Sequence, residues 1–103
     1  MLIVTTDEIP GKKLEALGLV KGETVESKHV GKDIMAGFKG LVGGELKVYT
    51  EMISDARRLA TERMVQEALS LGADAIVATR FSSSSIIQGA SEILVYGTAV
   101  KFV

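Results

Sequence analysis

The sequence contains no cysteine and no tryptophan, and it has only one histidine and one proline in 103 residues. The lack of cysteine excludes a disulfide framework and every thiolate site for zinc, iron–sulfur or copper. It also fits a reducing compartment, and we expect a cytoplasmic protein. With three Phe and two Tyr, the chain has no aromatic stripe on which bases would stack.

An excess of charge of one sign and long apolar runs are missing as well. Twelve basic residues face thirteen acidic ones, and a net charge of −1 gives no field that attracts phosphate backbones. The apolar start Met1–Val4 is far shorter than the roughly 20 residues that span a bilayer, and it reads as a first strand rather than a signal peptide. We therefore expect neither nucleic acid nor a membrane as a partner.

Apolar residues are abundant, at 47% of the chain, and they supply a core without metal or disulfide cross-links. The length fits one domain, so we assign residues 1–103 to a single domain. The apolar segments are punctuated by glycine, and the final strand is long and apolar. This composition predicts a homo-oligomer in which part of the apolar surface is covered by another copy.

The clearest pattern lies between Glu45 and Leu71, where apolar residues recur at three- and four-residue steps. The stripe consists of Tyr49, Met52, Ile53, Ala56, Ala60, Met64, Ala68 and Leu71. It predicts an amphipathic helix of about seven turns that ends before Gly72 and packs one face on a sheet.

Three strands are predicted in addition, at Leu2–Thr6, Ala75–Phe81 and Ile93–Val103. The last two are almost continuously apolar, which is typical of strands covered on both faces. The polar link Ser82–Glu92 between them is interpreted as a loop.

The segment Lys12–Lys28 is ambiguous. Leu14 and Leu17 fit an amphipathic helical turn, but apolar and polar residues also alternate here. Gly18 and Gly22 disfavour a helix by about 1 kcal/mol each relative to alanine. We favour a strand, a glycine-containing turn and a second strand.

The glycine-rich segment Gly37–Gly44 suggests a phosphate-binding loop but does not match the pattern. Before Gly31-Lys32, Glu26 stands at the position of the first glycine, and Asp33 replaces the hydroxyl residue. We interpret the segment as tight turns and close packing, with a short helix from Asp33 to Leu41 broken by Gly43-Gly44.

No residue pattern predicts catalysis. Ser82–Ser85 provides four hydroxyls, but neither a strained elbow nor a nearby base accompanies them, and a solvated hairpin loop fits them better. Without a nucleophile–base or acid–base pair we expect no enzyme and no cofactor.

His29 and Asp33 are the candidate metal ligands. Four residues apart, they would share one face of a helix and offer a nitrogen and an oxygen. A closed transition-metal site needs three or four protein ligands, so these two would have to be joined by carboxylates or by copies of His29 from other subunits. A surface or interface histidine is the competing interpretation.

Arg57 lies beside the apolar stripe of the long helix rather than opposite it. An arginine at such a position requires a carboxylate or carbonyl partner, for which Asp33 and Asp74 are candidates.

Taken together, these residues resemble the YbjQ-like family along the whole chain. The matching motifs are Val4-Thr5-Thr6, Ile9-Pro10-Gly11, Leu17-Gly18-Leu19-Val20-Lys21-Gly22, Gly31-Lys32-Asp33, Gly37, Val42-Gly43-Gly44, Tyr49, Ala56-Arg57, Ala60, Gly72-Ala73-Asp74-Ala75-Ile76-Val77 and Tyr96-Gly97-Thr98-Ala99-Val100. Lys32 stands where the family usually has arginine.

The resemblance implies an α+β fold: a two-layer α/β subunit with a mostly antiparallel sheet packed against one long helix, assembling as a ring, with a pentamer expected. A small ligand bound at the subunit boundaries is one expectation. The family also carries a heavy-metal-binding label, so a metal site built from oxygen and imidazole ligands is the alternative. The cysteine pair of metal-carrying domains is absent here.

Overall fold

The computed structural model describes residues 1–27, 42–87 and 90–103. Within these ranges a four-stranded mixed sheet packs against one long helix. The elements are β1 (Leu2–Ile3), β2 (Leu14–Ser27), α1 (Val42–Ser70), β3 (Ala75–Ile87) and β4 (Ala90–Phe102). The strand order is β1-β3-β4-β2; β1 is parallel to β3, and the other two pairings are antiparallel. The predicted α+β class with a mostly antiparallel sheet is confirmed.

The apolar stripe of α1 forms one half of the core. Ala56, Ala60, Met64 and Ala68 are buried, and the last three pack in one cluster with core residues of the sheet. Alanine at most of these positions allows the helix backbone to lie close to β2 and β4. Leu71 was predicted on the stripe but is exposed, because the helix ends at Ser70.

The predicted break at Gly43-Gly44 is wrong, since α1 begins at Val42 and includes both glycines. The penalty of about 1 kcal/mol for glycine applies to the interior of a helix, and both glycines lie in the first turn of α1. The short helix predicted from Asp33 to Leu41 lies outside the described residues.

The predicted turn inside Lys12–Lys28 is replaced by a β-bulge. β2 is a single strand whose register with β4 shifts between Ala16 and Gly18, where the φ angle of Gly18 is +142°. The extra residue, Leu17, packs against the main core. Glycine allows the unusual φ of the bulge without a Cβ clash, so the chain direction is kept and the strand continues.

The predicted loop Ser82–Glu92 is also wrong. β3 continues to Ile87 and β4 begins at Ala90, so the serine run Ser82–Ser85 lies in a strand and pairs with β4. Strand pairing joins backbone groups, and two neighbouring strands therefore extend beyond the core even where their side chains are polar and exposed.

A second, smaller core lies on the sheet face away from α1. The N-terminal segment covers this face only at one end, so coverage of β3 and β4 on both faces is confirmed there and not beyond it. The residues of this second core are Val4, Ile9, Leu14, Ala75, Val77, Val100 and Phe102. β1 is shorter than predicted, although Val4 and Thr6 continue to exchange backbone hydrogen bonds with β3. No helix within the described ranges combines the length and apolarity needed to cross a membrane.

Candidate functional site

A groove of about 400 Å³ lies between α1 and the part of β3 and β4 nearest their connection. We call it the helix–hairpin groove. It is lined by Ile53, Arg57, Phe81, Ser82, Ser83, Ser91 and Ile93.

The position of α1 over the sheet leaves this groove open. The helix lies mainly on β2, where the Thr24 hydroxyl donates to the Ala56 carbonyl at 3.4 Å, and partly on β4. Phe81 and Ser83 pair with Val95 and Ile93, which are buried beneath the helix. Paired residues share a face of the sheet, so Phe81 and Ser83 lie on the helix side of β3 but beyond its cover.

The groove combines one cation with hydroxyls and apolar carbon. Among the residues that the structure describes, Arg57 is the only charged one that lines it. Ile93 is 7% exposed and Phe81 is 55% exposed, so the apolar lining grades from buried to open. Such a lining can hold an anionic group at the guanidinium and an apolar group against the hydrocarbon surface.

Comparison with known proteins assigns the family. The sequence profile of a family described as "Putative heavy-metal-binding" matches residues 1–103. The chain belongs to the YbjQ-like family. UPF0145 proteins are similar to this family member over nearly their whole length: that of Thermosipho melanesiensis is 65% identical over 98% of this chain and 94% of its own, and that of Clostridium novyi is 59% identical over 98% of both.

The fold also has a solved counterpart. A crystal structure of a protein with unknown function of the DUF74 family, from Pediococcus pentosaceus, matches with a TM-score of 0.70 over 100% of this chain and 98% of its own. At 14% identity this similarity establishes a common fold alone.

The YbjQ-like chain does not use Asp74 as the partner of Arg57. The Asp74 carboxylate accepts the backbone N–H of Phe102 at 2.8 Å, beyond the C-terminal end of α1. About four turns of helix, or roughly 20 Å, separate this carboxylate from Arg57. The other candidate, Asp33, lies outside the described residues.

The candidate metal ligands of this YbjQ-like protein, His29 and Asp33, lie outside the described residues. Among residues 1–27, 42–87 and 90–103, no three histidine or acidic side chains come together as a metal site. Two of the four consecutive serines, Ser82 and Ser83, line the helix–hairpin groove, a placement that the interpretation as a solvated loop missed.

A charged group on the sheet face away from α1 was not predicted either. The Lys21 ammonium lies 2.8 Å from a Glu23 carboxylate oxygen, and Glu92 of β4 approaches Glu23. The contact with Glu23 raises the pKa of Glu92, because two neighbouring carboxyl groups retain a shared proton. Hydrogen bonding to Lys21 lowers the pKa of Glu23. Only the antiparallel register of β2 and β4 brings these distant positions together.

Proposed function

We propose that this protein is a cytoplasmic, non-enzymatic homo-oligomer, a ring of pentameric form, which binds a small ligand in the helix–hairpin groove at a subunit boundary. The observation that carries the proposal is the apolar rim of the groove. Phe81 and Ile53 line the groove and are 55% and 39% exposed, and Ile86 lies further along β3 and is 51% exposed; we call these three residues the apolar rim.

The position of β3 in the sheet supports a neighbouring copy at this rim. Backbone hydrogen bonds from the N-terminal segment to β3 reach only as far as Thr79, so from Arg80 onward β3 is the edge strand of the described sheet. A long edge strand that carries exposed apolar residues is prone to association, and closure into a ring removes that exposure.

The shape of the subunit supports the same conclusion. Its radius of gyration is 16.9 Å, and its extents are 55 × 26 × 18 Å. A compact domain of this length has a radius of gyration of about 13 Å. An elongated subunit leaves more of its surface to be covered by a neighbour. The pentameric number comes from the family resemblance.

Sedimentation of two charge variants tests the location of the boundary. We expect Ile86→Asp, at the rim, to shift the protein toward monomers, since it places an unpaired charge in a covered apolar surface. Leu69→Asp is the control, because Leu69 is 53% exposed near the opposite end of α1. Equal assembly of both variants would place the boundary elsewhere.

The alternative function is heavy-metal binding through oxygen and imidazole ligands, and the description of the family favours it. Calorimetric titration of the metal-free protein with zinc distinguishes the two. Our proposal predicts no sub-micromolar site, because the chain has no cysteine and a single histidine. A tight site that disappears in His29→Ala would instead establish the alternative.

A further inference from the structure

Arg57 differs from the other arginines of the chain in its hydrogen bonding. The Arg58 guanidinium lies 3.0 Å from the Asp55 carboxylate, Arg63 donates to the Glu23 carbonyl at 2.6 Å, and Arg80 donates to the Thr5 and Thr79 carbonyls at 2.8 Å each. In the described part of the chain, the Arg57 guanidinium donates to no protein acceptor. A guanidinium offers five N–H donors and is always charged, so an anion suits it.

Hydroxyl groups complete the polar side of the helix–hairpin groove. Ser83 pairs with Ile93, and Ser91 occupies the next position of β4 on the same face. Both serines line the groove opposite α1. Serine hydroxyls donate hydrogen bonds to an anion without adding a competing negative charge.

Apart from Arg57 and the serines, the lining residues are apolar, and the volume of the groove is larger than that of a bare inorganic anion. Ile53, Phe81 and Ile93 surround a volume of about 400 Å³. Sites for small organic molecules span roughly 300 to 1,000 Å³ and combine an apolar lining with a few polar groups. The groove therefore suits a ligand that has both an anionic end and an apolar body.

We propose that the helix–hairpin groove binds a small amphipathic anion, with a carboxylate or phosphate group on Arg57 and an apolar body against Phe81 and Ile93. This inference rests on the proposed function, which places a small ligand in the groove, and it adds the chemical class of that ligand.

Fluorescence titration with two probes tests the inference. The anionic probe is 1-anilinonaphthalene-8-sulfonate, and the neutral one is N-phenyl-1-naphthylamine, which has the same rings without the sulfonate. In Arg57→Gln we expect the Kd of the anionic probe to rise about tenfold, the loss typical of one charge-assisted hydrogen-bonded contact, and the Kd of the neutral probe to stay unchanged. Arg58→Gln is the matched control, because it removes a neighbouring arginine that is already paired with Asp55.

Competition against the anionic probe distinguishes the two kinds of head group. Displacement by hexanoate or by hexyl phosphate supports the proposal and identifies the preferred head, whereas inorganic phosphate should not compete because it lacks an apolar body. Failure of both amphipathic competitors overturns the proposal, as does an equal effect of the two arginine variants on the anionic probe.

If the neutral probe binds and the anionic probe shows no dependence on Arg57, the proposed ligand groove stands and its anion preference is refuted. If neither probe binds, both the proposed ligand groove and its anion preference are refuted. Circular dichroism of Arg57→Gln, with Arg57→Lys as a charge-retaining variant, separates lost binding from lost folding.

Discussion

At the residue scale, Gly22 sets the distance between α1 and the sheet. A Cβ atom at this position would overlap the Ala60 carbonyl oxygen and would lie 2.6 Å from the Met64 nitrogen. The obstacle is helix backbone, which cannot rotate away as a side chain can. Sequence patterns indicated only that glycine disfavours a helix here; the close approach of a distant helix was not visible in them.

Gly22→Ala is therefore expected to lower the free energy of unfolding by about 3 kcal/mol through overpacking. Gly11→Ala is the comparison: no atom lies within 4 Å of the added Cβ, but the φ angle of +78° imposes about 1 kcal/mol of backbone strain. Urea denaturation of both variants measures the difference. A smaller effect at Gly22 than at Gly11 would contradict the packing of α1 on β2.

The acidic pair on the open face makes stability depend on pH. The pKa of Glu92 is raised above its ordinary 4.5, so its stabilising contribution is present below that pH and is lost as pH rises through the raised value. The pKa of Glu23 is lowered, so its contribution is present above 4.5 and is lost as pH falls through the lowered value.

Glu92→Gln removes a carboxylate charge that repels the carboxylate of Glu23. We expect a higher Tm than wild type at pH 7 and a difference that shrinks toward pH 4, where Glu92 is increasingly protonated in the wild type. Thermal melts across this pH range test it, with Glu62→Gln on the exposed side of α1 as the control. A Tm difference that grows toward pH 4 would have the wrong sign for this pair.

At the element scale, the buried face of α1 could be predicted, whereas its first turn and the ends of the strands could not. The helix buries a stripe at regular spacing, and its period is recorded in its own residues. The extension of β3 through Ser82–Ser85 depends instead on backbone pairing with β4, which polar side chains do not reveal. The bulge at Gly18 likewise follows from the register with β4.

Met64→Asp tests the helix–sheet contact. Met64 is fully buried in the main core, and a carboxylate there would lack a partner. We expect a loss of about 3 to 5 kcal/mol in the free energy of unfolding. Gln66→Asp, on the exposed side of the same helix turn, should change little. An unchanged melting temperature in Met64→Asp would show that the buried face is misassigned.

At the scale of the whole molecule, the helix–hairpin groove forms because the fold brings residues from distant parts of the sequence together. Its residues come from α1, β3 and β4, and the sequence marked Arg57 and the serines without bringing them together. The same topology places the exposed apolar rim beside the groove, which is why we connect ligand binding with assembly.

Light scattering on a size-exclusion column tests the assembly most directly. We expect a mass of about five times the 10.9 kDa of one chain, maintained across protein concentrations. A mass near 10.9 kDa at every concentration would contradict it, because the apolar rim of the groove would then face solvent in the native protein.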